Sequence, residues 1–449
     1  MKSIMLSIII FATSFMVNSF ALACIDSAEL ACTSSSASCS ERFSIQQDTV
    51  EIWRNFSINK DHCNVDHLII VLHGRDRNPE DYFTYAVTAA QKAGRLDRTI
   101  IISPAFREQN DLKNVTDLFW NRDSTVNTSS AMNDWAMGGQ SEGPSSTSSY
   151  QVIDKIVESI AKSGHFPNLK SVVIAGHSAG GQFAHRYALV GNVNNQGLNL
   201  AFGYVSANPS SYAYLNDLRP ITGSLTNFAI PVSTSCNYWN EWGYGLVDPN
   251  TYIKNSSLTV NQIIDQYIGR RLTYLLGDAD ITTDGLDITC KAYLQGINRY
   301  ERGTAYSNYI QAYFPTTKHT RSVVPGVGHS GSQMLTSSQG VEALYTVAQI
   351  DPVAVDTVAP TTLITNPGDG QYVTKGNKFV INSSASDNVK VTKVEFYVND
   401  NLVCSDSTAT YTCTWSVPRK AGVKYRLHTK AYDSSGNSSI SLKVYVTSK

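Results

Sequence analysis

Residues 171–190 read SVVIAGHSAGGQFAHRYALV, and they join two different patterns through a short glycine-rich turn. Residues 171–175 form an apolar run rich in β-branched side chains, which is typical of strands buried on both faces. From Gln182 to Val190 the apolar residues recur at helical spacing. The stretch therefore predicts a strand that turns abruptly into a helix, with Gly176-His177-Ser178-Ala179-Gly180 at the turn.

A Gly-x-Ser-x-Gly turn between a strand and a helix is a nucleophile elbow, in which the serine hydroxyl projects above the sheet. Gly176 and Gly180 stand two residues before and after Ser178, where side chains would clash across so sharp a turn. The N-terminus of the following helix favours the negative charge that develops during attack. We therefore predict that Ser178 is a nucleophile; the alternative is an ordinary glycine-rich turn.

Further apolar runs surround this unit, at residues 68–72, 99–103, 200–206, 271–276 and 321–324. Helical patterns alternate with them, at residues 148–163 and 340–349 as well as after the elbow. Such alternation predicts an α/β fold, with a mostly parallel sheet flanked by helices. We assign residues 65–350 to this domain.

A serine hydroxyl is a weak nucleophile at neutral pH and needs a base that a carboxylate holds in place. His329 lies in a glycine-rich loop after the last predicted strand and before the closing helix, so we predict that it is the base. The alternative is a loop histidine that caps that helix. His177 flanks the nucleophile and His185 lies on the next helix, and both are predicted to be packing residues.

Three carboxylates follow the predicted strand at residues 271–276, namely Asp278, Asp280 and Asp284. Each is a candidate for the acid that holds the base. The same cluster weakly resembles a calcium loop, but threonines occupy positions where that motif needs an amide or carboxylate and then glycine. We therefore predict no metal site.

Acyl transfer also requires N–H donors aimed at the developing oxyanion. The backbone N–H of Ala179, directly after the nucleophile, is one predicted donor. The other is the backbone N–H of Arg75, because His73-Gly74 follows an early strand and glycine lets the backbone approach the site. The side chain of Arg75 either faces the substrate or pairs with a neighbouring aspartate.

Two long insertions carry the aromatic residues that we assign to substrate binding. Residues 119–144 contain Trp120 and Trp135, and residues 210–268 contain Trp239 and Trp242. Long loops of this kind are usually functional or mobile, and their rings would form an acyl pocket or stack on a sugar or phenolic ring. Packing of each ring against the domain body is the alternative.

The chain has 449 residues, with 36 Lys and Arg against 37 Asp and Glu. Its net charge of -1 provides no basic field for a nucleic acid, so we predict no nucleic-acid partner. The length indicates two or three domains, since single cores stop growing at roughly 250–300 residues.

The first 23 residues have the pattern of a secretory signal peptide, because Lys2 precedes a mostly apolar segment that ends in Ala21-Leu22-Ala23. An uncleaved anchor and a lipid-modified Cys24 are the alternatives. We therefore predict a secreted protein, extracellular or periplasmic.

All eight cysteines follow the predicted cleavage point, and an even number in an oxidising compartment indicates disulfides. We expect Cys404 to pair with Cys413 and Cys236 with Cys290, and the four N-terminal cysteines to pair among themselves. We assign residues 24–64 to a Cys-rich N-terminal segment that also contains the first strand or strands of the catalytic domain. Within this segment, residues 24–49 are expected to be irregular.

Residues 351–359 contain Pro352, are followed by Pro360 and show no helical period, so they are predicted to be a linker. Short alternating strands separated by turn residues fill residues 360–449, which predicts a β-sandwich. The segment resembles the immunoglobulin-like modules of bacterial secreted enzymes, through Ser386-Asp387-Asn388-Val389, the Val-Glu-Phe-Tyr-Val run at residues 394–398 and the Ala-Tyr-Asp-Ser-Ser-Gly-Asn run at residues 431–437. The resemblance implies a spacer, or a contact with a surface or polysaccharide.

Residues 65–350 resemble the α/β-hydrolases, since the His-Gly pair, the elbow, Gly277–Asp280 and Gly328-His329 occur in the expected order. Among the α/β-hydrolases, the chain is similar to secreted esterases of the polyhydroxybutyrate-depolymerase and feruloyl-esterase kind. The resemblance favours Asp280 as the acid, three residues after Gly277. It implies a serine hydrolase that cleaves carboxylic esters, small or polymeric, without metal or organic cofactor. A serine peptidase of the same fold and an inactive surface-binding protein are the alternatives.

Overall fold

The computed structural model describes residues 24–449 except 25, 28, 122–133, 143–144, 233–235, 349–357, 388–389 and 434–435. The predicted signal peptide and most of the predicted linker lie outside the described residues. The chain divides into two compact units, residues 1–350 and residues 351–449.

An eight-stranded sheet forms the centre of the first unit. Its strands are β1 (Ser40–Ile45), β2 (Asp48–Arg54), β3 (His67–Leu72), β4 (Thr99–Pro104), β5 (Ser171–His177), β6 (Ala201–Ala207), β9 (Arg271–Gly277) and β10 (Thr320–Val324). A separate two-stranded ribbon is formed by β7 (Arg219–Pro220) and β8 (Phe228–Ala229). The order in the large sheet is β1-β2-β4-β3-β5-β6-β9-β10, and every neighbouring pair from β4 onward is parallel.

The helices of this unit connect the strands and cover both faces of the sheet. They are α1 (Pro79–Lys92), α2 (Ser149–Lys162), α3 (Ala179–Val190), α4 (Thr251–Ser256), α5 (Val260–Gly269), α6 (Cys290–Tyr293), α7 (Arg299–Tyr313), α8 (Gly331–Thr336) and α9 (Ser338–Thr346). The α/β fold that the alternation of patterns predicted is therefore confirmed, and the predicted runs coincide with β3, β4, β5, β6, β9 and β10 to within one or two residues at each end.

Two hydrophobic cores lie on opposite faces of the sheet, because successive side chains of a strand point to opposite sides. In β3, Leu68 and Ile70 join a core that includes Phe183 of α3. Ile69 and Val71 join the other core, which α1, α8 and α9 cover. A strand buried on both faces needs apolar side chains at every position, which explains the uninterrupted run at residues 68–72.

The prediction of irregular structure for residues 24–49 is wrong from Ser40 onward. Strands β1 and β2 form an antiparallel hairpin at the edge of the sheet, with Phe43 paired opposite Val50. Only two side chains of β1, Phe43 and Ile45, are buried, so the alternating pattern is too short to stand out. Pairing with β2, rather than the run's own periodicity, places this strand.

Four disulfides are present, and they agree with the expected pairings: Cys24–Cys63, Cys32–Cys39, Cys236–Cys290 and Cys404–Cys413. The first two tie the N-terminal segment together. Within the described part of the chain, no helix combines the length and apolar character needed to cross a bilayer.

Among the described residues of the second unit, all regular elements are strands. They are β11 (Thr361–Asn366), β12 (Tyr372–Val373), β13 (Lys378–Ser386), β14 (Val391–Val398), β15 (Asn401–Asp406), β16 (Tyr411–Ser416), β17 (Lys424–Asp433), β18 (Ser438–Ile440) and β19 (Val444–Ser448). One sheet has the order β11-β13-β16, and the other has the order β12-β19-β17-β14-β15 with β18 beside β17. Side chains from both sheets, including Ile381, Phe396 and Trp415, form one core. The predicted β-sandwich is confirmed.

Candidate active site

The turn between β5 and α3 holds Ser178 in a strained conformation, with φ 59° and ψ -119°. A Cβ atom on Gly176 would lie 2.3 Å from the carbonyl carbon of Gly180, and one on Gly180 would lie 2.3 Å from the carbonyl oxygen of Leu72. No larger residue fits at either position without moving the backbone. The glycines therefore permit the turn that exposes the serine hydroxyl, as the motif predicts.

Three side chains from distant parts of the sequence meet at the carboxyl edge of the sheet. The Oγ of Ser178 lies 3.0 Å from Nε2 of His329, and Nδ1 of His329 lies 2.7 Å from Oδ2 of Asp280. These residues follow β5, β10 and β9, whose carboxyl ends lie at the same edge because the strands are parallel. The predicted nucleophile, base and acid are thus brought into one hydrogen-bonded chain.

Asp280 is completely buried, whereas the two alternative acids are exposed. The backbone fixes Asp280 at both ends, because its N–H donates to Gly277 and its carbonyl oxygen accepts from Tyr300. The carboxylate of Asp278 instead accepts the N–H of Gly326 at 2.6 Å and shapes the loop before His329. Asp284 has its carbonyl oxygen bonded to Arg299. The structure therefore brings only Asp280 of the three to His329.

Arg299 is a residue of the site that the sequence analysis did not identify. Its side chain is fully buried, and its Nη1 lies 3.4 Å from Oδ1 of Asp280. The guanidinium also donates to the Oγ of Ser210 and the carbonyl oxygen of Asp284. Burial lowers the pKa of Arg299, and the neighbouring carboxylate of Asp280 opposes that effect. An arginine at the first turn of a helix is ordinarily exposed, so no sequence signal marked it.

His177 and His185 are both buried packing residues, as predicted. A hydrogen bond of 3.1 Å joins Nδ1 of His177 to the hydroxyl of Tyr82. The ring centre of His177 lies 4.5 Å from that of His329. Burial is the main cause that holds the pKa of His177 well below its usual range, and the nearby His329 and Arg299 lower it further by charge repulsion. Nε2 of His185 accepts the N–H of Ala213 at 3.0 Å. Neither imidazole is placed to serve as the base for Ser178.

The loop after β3 approaches the nucleophile closely. A Cβ atom on Gly74 would lie 3.8 Å from Cβ of Ser178. His73 anchors the loop, because its Nε2 accepts the N–H of Phe106 at 2.9 Å while its Nδ1 bonds the carbonyl oxygen of Gly74 at 2.8 Å. Burial lowers the pKa of His73 to about 4, so the ring is neutral and can accept at Nε2.

The two N–H groups predicted to form the oxyanion hole belong to Arg75, in this loop, and to Ala179, at the first position of α3. Across the described residues, neither N–H is used in another hydrogen bond. The first N–H groups of a helix have no intrahelical acceptor, which explains the free N–H of Ala179. Both groups are therefore available to an incoming oxygen.

Three of the four tryptophans that are predicted to bind substrate are buried in this structure. Trp120 is 1% exposed and donates from Nε1 to the carbonyl oxygen of Gly139, while Trp242 is 4% exposed and donates to that of Met137. Trp135 is 5% exposed and stacks on Phe106. These indoles are core residues because the insertions fold back onto α3.

Trp239 remains half-buried, with the guanidinium of Arg219 4.7 Å from its ring centre. Its predicted role in substrate binding stays a prediction. Among the residues with described positions, no group of three or more His, Cys, Asp or Glu side chains is placed to hold a metal ion.

The strand order and the elbow after β5 define the first unit as an α/β-hydrolase fold. A family model described as bacterial Ig domain matches residues 360–444, which identifies the second unit. No curated protein matches the sequence.

Solved structures resemble each unit. A poly(3-hydroxybutyrate) depolymerase from Bordetella parapertussis is 19% identical, with a TM-score of 0.46 over 70% of this chain and 91% of its own. Poly(aspartic acid) hydrolase-1 from Sphingomonas sp. KT-1 is 18% identical, with a TM-score of 0.46 over 67% of this chain and 96% of its own. Fibronectin(III)-like modules of CbhA from Clostridium thermocellum are 31% identical over 20% of this chain and 96% of their own, with a TM-score of 0.19.

Proposed function

We propose that this protein is an exported serine hydrolase that cleaves carboxylic esters through an acyl-enzyme intermediate. The observation that carries the proposal is the hydrogen-bonded chain from Ser178 through His329 to Asp280, with distances of 3.0 Å and 2.7 Å. The strained conformation of Ser178 supports it, because such strain persists where the surrounding structure holds a side chain in place for function.

In the first step, Nε2 of His329 takes the proton of Ser178 while Oγ attacks the ester carbonyl carbon. Asp280 accepts the Nδ1–H of His329, which leaves Nε2 free to accept and stabilises the imidazolium that forms. A buried carboxylate suits this role, since the attraction between unlike charges is stronger away from water.

The tetrahedral intermediate carries a negative charge on the former carbonyl oxygen. The N–H groups of Arg75 and Ala179 would donate to it, and the N-terminus of α3 adds a favourable dipole. Removing one such donor typically costs about 3–4 kcal/mol of transition-state stabilisation. His329 then returns the proton to the leaving alcohol, and water hydrolyses the acyl-enzyme by the same route. No step calls for a metal or an organic cofactor.

Export is proposed from two observations. The N-terminal sequence has the pattern of a signal peptide, and four disulfides connect the eight cysteines. Disulfides persist in oxidising compartments and are rare in a reducing cytosol. We therefore propose that the protein works outside the cytoplasm.

The experiment that tests the proposal compares the wild-type chain with Ser178→Ala and with Ser163→Ala, a serine exposed at the end of α2. We expect a fluorophosphonate probe to label wild type and Ser163→Ala, and to leave Ser178→Ala unlabelled. Hydrolysis of a short acyl ester should follow the same pattern, with unchanged thermal stability. Turnover that continues in Ser178→Ala contradicts the assignment of the nucleophile. Faster cleavage of peptide amides than of esters contradicts the proposed substrate class.

A further inference from the structure

The outward face of the large sheet in the Ig unit carries a concentration of positive charge. Side chains alternate along a strand, so residues 424, 426, 430 and 432 of β17 share one side, opposite the core residue Leu427. The registers place Lys393 of β14 and Tyr445 of β19 on the same side. We call this the cationic face, and its basic residues are Lys393, Lys424, Arg426, Lys430 and Lys449.

Few acidic groups offset this charge. Residues 360–449 contain eleven Lys and Arg against six Asp and Glu, although the whole chain has a net charge of -1. On the cationic face, Glu395 is only 9% exposed and accepts hydrogen bonds from Lys393, Tyr397 and Tyr432. The carboxylate of Asp400 pairs with Arg426. Two of the five basic residues are therefore already paired with carboxylates, and Lys424, Lys430 and Lys449 leave the open surface positive.

Tyrosine rings hold the lysine side chains in position. The ammonium groups of Lys393 and Lys430 lie 4.4 Å and 4.9 Å from the ring centre of Tyr432. Lys424 lies 4.6 Å from the ring of Tyr445, and Lys449 lies 5.2 Å from a further tyrosine ring, on β12. Cation–π attraction restricts these long side chains while leaving N–H groups directed at solvent. Less side-chain entropy is then lost when an anion binds.

The same contacts decide the kind of partner. Stacking on a neutral sugar or a nucleobase needs an uncovered aromatic face, and lysines lie over the rings of Tyr432 and Tyr445. Lys424 and Lys430 lie roughly 20 Å apart along β17, at about 3.4 Å per residue. Cations at this spacing on one sheet face match an extended polymer with repeated negative charges.

We propose that the cationic face binds an anionic polysaccharide, whose repeated carboxylate or sulfate groups pair with Lys424, Lys430 and Lys449. Binding of this kind would retain the protein on an acidic glycan matrix. The proposal is independent of the proposed hydrolase activity, because it uses no residue of the Ser178 site.

The test uses the full chain and polygalacturonate as the probe, with neutral dextran as the comparison polymer. Lys424, Lys430 and Lys449 are replaced together by Gln, and the matched control replaces Lys378, Arg419 and Lys420, which lie on β13 and after β16 in the other sheet. Affinity electrophoresis at low and high salt gives the dissociation constants.

We expect wild type to bind polygalacturonate but not dextran, and high salt to weaken binding because exposed charges are screened. The cationic-face variant should bind roughly tenfold more weakly, since each exposed ion pair contributes up to about 1 kcal/mol. The control variant should stay within about twofold of wild type. Ester hydrolysis by the two variants, measured alongside, should equal that of wild type if both are folded.

Three outcomes would overturn the proposal. Absence of polygalacturonate binding at low salt removes it outright. Equal weakening in both variants shows that net charge acts without a defined face. The surface belongs to another partner if the protein binds anionic phospholipid vesicles or duplex DNA more tightly than polygalacturonate. The same conclusion follows if the chain self-associates and the cationic-face variant abolishes that self-association.

Discussion

Replacement of Asp280 by Asn tests how the buried carboxylate controls the tautomer of His329. The carboxylate has two oxygens, of which one faces Nδ1 of His329 at 2.7 Å and the other faces Nη1 of Arg299 at 3.4 Å. Both neighbours donate N–H hydrogen bonds to the carboxylate. Asparagine has the same shape but only one oxygen, so it can satisfy one of the two donors.

Arg299 can only donate, and it is fixed by Ser210 and Asp284, so the single oxygen of the introduced amide should turn toward it. The amide NH₂ then faces Nδ1 of His329, which must become an acceptor. The proton of the neutral imidazole moves to Nε2, and Nε2 can no longer accept the proton of Ser178. We expect kcat to fall by roughly 10³–10⁴-fold, which corresponds to about 4–5.5 kcal/mol in the activation barrier.

The assay measures kcat for a short acyl ester and the rate of fluorophosphonate labelling, since both require the serine proton to leave. Asp278→Asn is the matched control, because it removes a carboxylate from the same turn and that carboxylate is exposed. Asp278→Asn should keep kcat within a few fold of wild type. The reasoning is refuted if Asp280→Asn retains more than a tenth of wild-type kcat, or if both substitutions reduce kcat equally.

Two further predictions concern stability. Gly180→Ala would place a Cβ atom 2.3 Å from the carbonyl oxygen of Leu72, so urea denaturation should show that the free energy of unfolding falls by about 3 kcal/mol. Gly269→Ala is the control, because a Cβ atom there would have no atom within 4 Å, and it should change the free energy of unfolding by less than about 0.5 kcal/mol. Burial lowers the pKa of three histidines to about 4 from an ordinary value of 6.5, namely His67, His73 and His319. Because the unfolded chain binds these protons first, stability is lost as the pH falls from about 6.5 toward 4, and the free energy of unfolding should be about 5 kcal/mol lower at pH 5 than at pH 7. Equal urea midpoints at the two pH values would contradict this.

The sequence was most informative where local chemistry leaves few choices. The uninterrupted apolar run of β3 indicated a strand buried on both faces, because only apolar side chains can occupy both sides of a central strand. The pentapeptide around Ser178 indicated the turn, because only glycine fits at positions 176 and 180. The strands of the Ig unit were also predictable, because the side chains of its short strands alternate between core and solvent.

Features that depend on the partner of a residue were not predictable in this way. Strand β1 is defined by pairing with β2, and its own two buried residues are too few to form a recognisable period. Trp120 and Trp242 were predicted to bind substrate, with packing as the alternative, and the long insertions fold back and bury both rings. A sequence shows that an aromatic ring lies in an insertion, whereas burial depends on where that insertion packs.

The amino-acid sequence by itself determined the buried strands β3, β4, β5, β6, β9 and β10 and the elbow at Ser178. These features depend on residues near one another in the chain. Tertiary structure decided that Asp280, which the family resemblance favoured, reaches His329 while Asp278 does not, and it alone showed that Arg299 lies buried beside that carboxylate. Those contacts join side chains 49 and 19 positions apart, and the sheet must form before their distances are defined.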